Sequence, residues 1–312
     1  MSNSITLKHR GLVIIAIDQS GSMQDAFRAH SLIMSKSETA SMIASALLDE
    51  IIVRSQLSGT IYNCLDIGVV GYSNFHVDPL LHHKLYTVPI SLLENENVPV
   101  NTISYYLKNQ DGHLSIYSES YSDRIVPKAA GYSNVDDMLN VVFYIARDWC
   151  NNPQNHDSLP PIVINLTDGD IDTTYKSELI QQAEELRELG TNRGKLVLFN
   201  VIINSDKSSP RLDFPNPDQV TKGHPIEKLA LISGELPEVF YPLAKWYNPD
   251  REPPYLSMCY NATILSVFGP LKVDRSAPER DFSKVGIPKT KSDEETSDET
   301  NDEINDDSES IV

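Results

Sequence analysis

Cysteine is scarce in these 312 residues: Cys64, Cys150 and Cys259 are an odd set, with no CxxC pair and no His/Cys cluster. A disulfide framework and a zinc site of the usual spacing are therefore excluded, and each thiol fits a core position as a small hydrophobe. Long apolar runs are absent too. None approaches the roughly 18 consecutive apolar residues of a membrane span. The run Leu12–Ile17 follows Lys8 and Arg10, but it is too short for a signal peptide, ends in Asp18 and has no small-residue cleavage site after it. Basic residues are few, 26 Lys plus Arg against 44 Asp plus Glu, for a net charge of −18 and no local basic patch. That balance repels phosphate backbones, so no nucleic-acid partner is expected. No P-loop GxxxxGK and no dinucleotide GxGxxG occurs. Asn165 and Asn261 match the glycosylation pattern, but the first falls inside an apparent buried strand. The expectation is a cytoplasmic chain with no membrane partner.

The charge divides unevenly. Residues 289–312 hold ten acidic residues and two lysines, which leaves −10 for residues 1–288. That tail has no aromatic residue and too little apolar surface to offset the entropy of ordering it, so it reads as disordered. The organisation expected is one domain over residues 1–272, then a linker and acidic tail over 273–312.

Within the domain, Leu12–Ile17 (LVIIAI), Ile162–Leu166 (IVINL) and Leu196–Ile203 (LVLFNVII) are continuous, β-branched apolar runs. This is the pattern of strands buried on both faces. Ile67–Tyr72 reads as a fourth, with Thr60–Leu65 leading into it. Helical periodicity lies between the strands. Ser35 and Glu38 have capping-box spacing before Met42, Ile43, Ala46, Leu47 and Ile51, with Gly59 as a stop. Val135, Leu139, Val142, Phe143, Ala146 and Cys150 line a second helix; Leu179, Ala183, Leu186 and Leu189 line a third, ended by Gly190. The alternation predicts an α/β fold: a Rossmann-like, open, mostly parallel, doubly wound sheet flanked by helices. Two stretches break the rhythm. Residues 75–130 read as an insertion, and the span 72–132 carries 7 of the 14 tyrosines. Residues 204–256 carry 9 of the 19 prolines and read as long loops around a last strand near Glu238–Tyr241.

The chemistry concentrates where strands end. The first strand runs into Asp18-Gln-Ser20-Gly-Ser22-Met23, a carboxylate and two hydroxyls at alternate positions on a tight loop. Such hard oxygen donors suit Mg²⁺ or Mn²⁺. A second acidic loop, Thr167-Asp168-Gly169-Asp170, follows another buried strand, and Gly131-Tyr-Ser133-Asn134 opens the second helix. Ligands of open α/β sheets bind at this edge.

The order DxSxS, a hydroxyl before a helix, then a strand ending in TDG resembles the von Willebrand factor type A (vWA) domain family. The single-domain layout is closest in style to bacterial tellurium-resistance (TerY-like) members. The resemblance implies a metal-ion-dependent adhesion site (MIDAS), with Asp18, Ser20, Ser22, Ser133 and Asp168 around Mg²⁺ or Mn²⁺, and a partner protein's acidic residue completing the coordination. It implies a non-enzymatic, metal-dependent protein-interaction module, an adaptor in a stress or phage-response system with a kinase and a PP2C-type phosphatase. The alternatives are a substrate-recruiting partner of a MoxR-type AAA+ ATPase and a metal-dependent hydrolase. Tyr132 and Asp170 are candidate partner contacts.

Plainer readings stand beside these. Asp18 and Ser20 fit an Asx turn. Ser133 and Asp136 fit a capping box, and Thr102 competes with Ser133 as a donor. Asp172 reads as a solvated loop acid, and His82-His83 as a solvated pair, because adjacent strand residues point to opposite faces. Gly71-Tyr-Ser73-Asn-Phe75 and Gly131-Tyr-Ser133-Asn-Val135 resemble the GxSxG nucleophile elbow but have a bulky residue where its second glycine belongs.

Overall fold

The computed structural model describes residues 10–261, apart from 30–31, 58–59, 95–96, 109–113, 172–175, 205–210 and 221–225. The expected boundary near residue 272, the acidic tail and Asp172 lie outside the described residues.

The centre is an α/β layer structure. Strands β1 (Gly11–Asp18), β2 (Leu65–Ser73), β3 (His76–Pro79), β4 (Val88–Pro89), β7 (Ile162–Thr167), β8 (Val197–Ile202), β9 (Leu212–Asp213) and β10 (Met258–Tyr260) form one sheet, and β5 (Val100–Lys108) and β6 (Leu114–Ser122) form a separate hairpin. The sheet runs β9-β10-β8-β7-β1-β2-β3, with β4 beside β2. β2, β1, β7, β8 and β10 are mutually parallel, and β3, β4 and β9 are antiparallel additions at the two sides. The register places Val13 opposite both Ile67 and Ile162.

The helices cover both faces, as the continuous apolar runs require. Val13, Ile15 and Ile17 of β1 pack with α1 (Lys36–Arg54) and α5 (Tyr241–Tyr247). Leu12, Ile14 and Ala16 pack with α2 (Val135–Cys150), α3 (Lys176–Glu188) and α4 (Glu227–Ser233). From β1 the chain crosses through α1 to β2 on one side, then returns through α2 to β7 on the other. The order therefore reverses at β1, and the crevice of such sheets opens at the carboxyl end of that reversal. Asp18 is the residue that ends β1.

Local signals explain the helix starts. Ser35 accepts the Glu38 N–H at 3.1 Å, and the Glu38 carboxylate accepts the Ser35 N–H at 2.7 Å. Helix α1 stops at Arg54, short of Gly59, with Ser55 as its cap. Helix α2 is capped by Asn134, which accepts the Asp137 N–H at 3.1 Å. The capping box read for Ser133 and Asp136 does not form; the cap is a single side-chain bond one residue later, and the Ser133 hydroxyl is left for another use.

The insertion has structure of its own. Asp49 of α1 accepts the Ser122 N–H at 2.6 Å and the Arg124 Nε–H at 3.2 Å, which anchors the base of the β5–β6 hairpin on that helix. Thr102 pairs with Ser120 across the hairpin at 2.9 Å, so it does not compete with Ser133. Thr60–Ile61 does not lead into β2; it pairs antiparallel with Gln56–Leu57. The strand expected near Glu238–Tyr241 is a 3₁₀ turn, Glu238–Phe240, running into α5. Pro237 and Pro242 explain the change, since proline lacks the ladder N–H and fits the first turn of a helix. Among the described residues the last strand is instead Met258–Tyr260, three residues parallel to β8.

Candidate functional site

Five segments meet at the carboxyl edge around Asp18. Its side chain is fully buried (0% exposed), and the hydrogen bonds to it come from neutral donors. Oδ1 accepts the Ser20 N–H at 2.8 Å, the Asx turn foreseen as the plain reading. Oδ2 accepts the Ser133 hydroxyl at 3.0 Å and the Thr167 hydroxyl at 2.9 Å. Burial pushes the Asp18 carboxyl above the ordinary carboxylate range; hydrogen bonds from Ser20 and Thr167 oppose that shift, and the Asp168 charge adds to it. Burial, with the Asp18 charge behind it, also pushes the Tyr72 phenol far up, and its hydroxyl donates to Asn165 Oδ1 at 2.9 Å.

Ser20 and Ser22 share a hydrogen bond of 3.1 Å on the loop after β1. This loop is fastened to the one before α2, because the Gly21 N–H donates to Gly131 O at 2.7 Å. A Cβ on Gly21 would stand 3.1 Å from that oxygen, so any larger residue would press the two loops apart by a few tenths of an ångström. Gly131 has φ +81°, and a Cβ on it would meet Asn74 Oδ1 at 2.1 Å. Asn74, in the two-residue turn between β2 and β3, uses that room. Its N–H donates to Tyr132 O at 2.9 Å, and its Oδ1 accepts the Tyr132 N–H at 3.2 Å.

Asp168 is held by charge. Lys36 Nζ lies 3.0 Å from its Oδ2 and 3.4 Å from Asp25 Oδ2. The Lys36 and Asp168 side chains are 11% and 2% exposed, so this ion pair is largely removed from water. Asp168 Oδ1 accepts the Asp170 N–H at 3.1 Å, and Asp170 itself is exposed.

The structure thus brings Asp18, Ser20, Ser22, Ser133 and Asp168 to one edge, with Tyr132 and Asp170 on the rim. It does not support the metal expected among them. Among the described residues no group of three or more His, Cys, Asp or Glu side chains could hold a metal ion. The physical reason lies in the contacts above. Both Asp18 oxygens are engaged by protein donors, and the positive charge facing Asp168 is the Lys36 ammonium. The Mg²⁺ or Mn²⁺ cofactor, the metal-dependent adhesion site and the function built on it, including the adaptor, ATPase-partner and metal-dependent hydrolase readings, are accordingly corrected. The acidic partner residue expected to complete the coordination was tied to that metal.

Sequence reasoning missed Lys36 and Thr167. A faint signal existed for Lys36: a cation at the first position of a helix stands against the helix dipole and needs a local anion. Thr167 was read as part of the TDG strand end but was given no role of its own.

At the opposite, amino edge of the sheet, a cleft of about 540 Å³ is lined by Cys150, His156, Glu188 and Lys195 among others. Burial pushes the Cys150 thiol up to about 11, which keeps it protonated and unreactive.

No family model matches this chain, and no curated protein matches it. Among solved structures, one similar chain is an aerotolerance-related membrane protein from Bacteroides fragilis, 14% identical, with 71% of this chain and 87% of that one covered and a TM-score of 0.33. Another is an uncharacterized membrane-spanning protein from Vibrio fischeri, 13% identical, with coverage of 62% and 71% and a TM-score of 0.26. At these TM-scores neither superposition establishes a shared fold. No helix among the described residues is long and apolar enough to cross a membrane.

Proposed function

We propose that this chain is a non-catalytic protein-interaction module of von Willebrand factor A type that docks a partner protein on the loops at the carboxyl edge of its sheet, without a metal. One observation carries the reading. Phe75 is 77% exposed at the tip of the β2–β3 turn and meets Tyr132, 39% exposed, edge-to-face at 5.4 Å between ring centroids. A phenylalanine left 77% exposed at a turn tip buries little apolar surface in the fold. Here the two hydrogen bonds between Asn74 and Tyr132 hold both rings on the frame of the Asp18 cluster. Exposed, pre-positioned aromatic rings are what protein interfaces use as anchors.

The buried cluster favours docking over catalysis. Ser133 and Asp18 are hydrogen-bonded to each other and almost completely buried, so neither meets a substrate. Ser20 and Ser22 are bonded to each other, and the carboxylate beside Ser20, that of Asp18, is buried and already engaged by the Ser133 and Thr167 hydroxyls.

The test is quantitative affinity purification with the full chain and with a Phe75→Ser/Tyr132→Ser variant. A protein retained by the wild type is expected to be lost from the variant and to persist in EDTA. Retention of the same proteins by both chains, or turnover of ester or phosphoester substrates by the pure protein, overturns the reading.

A further inference from the structure

The docking face proposed above has a charge as well as an apolar anchor, and the two together describe its partner. The segments around Phe75 and Tyr132 are fastened to one another: Gly21 to Gly131, Gln24 Nε2 to Ala129 O at 3.1 Å, and Asn74 to Tyr132. They therefore form one surface. Its charged members are Asp18, Asp25, Asp168 and Asp170 against Lys36 and Lys128, with His76 beside the aromatic turn and Asp136 and Asp137 in the first turn of α2. Lys36 is turned inward to Asp168, whereas Asp170 is exposed and the Asp25 side chain is 70% exposed. Lys128 is exposed as well, and against it stand the exposed Asp25 and Asp170 and the half-buried Asp136 and Asp137, so the charge presented to solvent is net negative and borders two aromatic rings.

We infer that the occupant of this face is a basic protein segment that places an arginine against the Phe75–Tyr132 pair, drawn to it by the exposed Asp25 and Asp170 carboxylates of the same edge. The inference rests on the docking reading and deepens it by naming the chemistry of the partner. A guanidinium suits both halves of the surface. Its planar, weakly hydrated face lies against an aromatic ring, and its edge pairs with carboxylates. An acidic segment would bring like charges together at the rim, which disfavours association.

The experiment uses the full chain and a fluorescein-labelled peptide of Gly-Ser repeats carrying two arginines, with lysine and glutamate versions for comparison, followed by fluorescence anisotropy. The expected order is arginine, then lysine, with no binding of the glutamate peptide. Because the whole protein is acidic, the deciding variant leaves charge untouched: Phe75→Ser/Tyr132→Ser is expected to weaken arginine-peptide binding at least about tenfold, the order expected for losing cation–π contacts. Asp25→Asn/Asp170→Asn is expected to weaken it as well and to flatten its salt dependence. Failure of the arginine peptide to bind, equal binding by wild type and aromatic variant, or tighter binding of the glutamate peptide overturns the inference. If a captured protein depends on Phe75 and Tyr132 while the arginine peptide does not bind, the basic chemistry falls and the docking reading stands. If neither depends on the rings, both fall.

Discussion

The two aspartates that end adjacent parallel strands are solved by the fold in opposite ways. Asp18, at the end of β1, is surrounded by one backbone N–H and two hydroxyls, all neutral. Asp168, just past β7, faces the ammonium of Lys36. Both carboxylates are buried and both arise from the same kind of sequence, a hydrophobic strand running into Asp. A charge removed from water needs either preorganised dipoles or a counter-charge, and here each strand end takes one of these routes. The consequence is that the two sites should respond to substitution with different magnitudes and, for the loss of charge, with different signs.

The largest effect is expected at the ion pair. Lys36→Met leaves Asp168 buried without its counter-charge and should cost about 3–5 kcal/mol of unfolding free energy at neutral pH. Urea denaturation followed by circular dichroism measures this. The double variant Lys36→Met/Asp168→Leu should recover most of the loss, because replacing both charges removes the uncompensated one. A single variant as stable as the wild type would show that Asp168 is not stabilised by Lys36, and the contrast between the two strand ends would disappear.

Much of this architecture was legible beforehand because it depends on local pattern. The runs around Leu12–Ile17, Ile162–Leu166 and Leu196–Ile203 became β1, β7 and β8, since an uninterrupted β-branched run has few other places to go. The Ser35–Glu38 cap formed as read. The placing of Asp18 and Asp168 at one edge followed from parallel order, whereas Ser133 was assigned through the vWA resemblance. What stayed hidden was long-range. Lys36 stands 132 positions before Asp168, and no short motif links them. With that ammonium unseen, the cluster of carboxylates suggested a divalent cation. The short strands near residues 212 and 258 were missed because two or three residues carry no readable period, and Glu238–Tyr241 was misread because its flanking prolines were weighed as loop rather than as helix-start residues.

A smaller loss is expected on the Asp18 side. Thr167→Val keeps the shape of a fully buried side chain but removes the 2.9 Å donor to Asp18 and the acceptor of the Gly169 N–H at 3.1 Å. One neutral hydrogen bond withdrawn from a buried carboxylate costs about 1–3 kcal/mol, below the ion-pair variant because Ser133 and the Ser20 N–H remain. If thermal melts show Thr167→Val to be as damaging as Lys36→Met, neutral donors are carrying as much as a full counter-charge and the distinction between the two sites fails.

The sharpest contrast comes from removing each charge in turn. Asp168→Asn strips Lys36 of its buried partner and should destabilise the protein at neutral pH. Asp18→Asn should act with the other sign. The folded-state Asp18 carboxyl is raised, first by burial, so between the ordinary carboxylate range and that raised value the folded chain holds a proton that the unfolded chain has released. Stability from this group therefore falls as pH rises through the window, and below the window it makes no difference. Asparagine imitates the protonated form at every pH, and the Ser133 and Thr167 hydroxyls can turn to accept its amide. The melting temperature of Asp18→Asn minus that of the wild type should thus begin near zero in acid, become positive as pH rises above the ordinary carboxylate range, and level off beyond the raised value. Taking the difference cancels the other carboxyls raised by burial, Asp136 and Asp213, which are common to both chains. A difference that is negative at neutral pH and grows more so as pH rises would mean that the ionised carboxylate is favoured in the folded chain, and that three neutral donors fully replace the water Asp18 gives up.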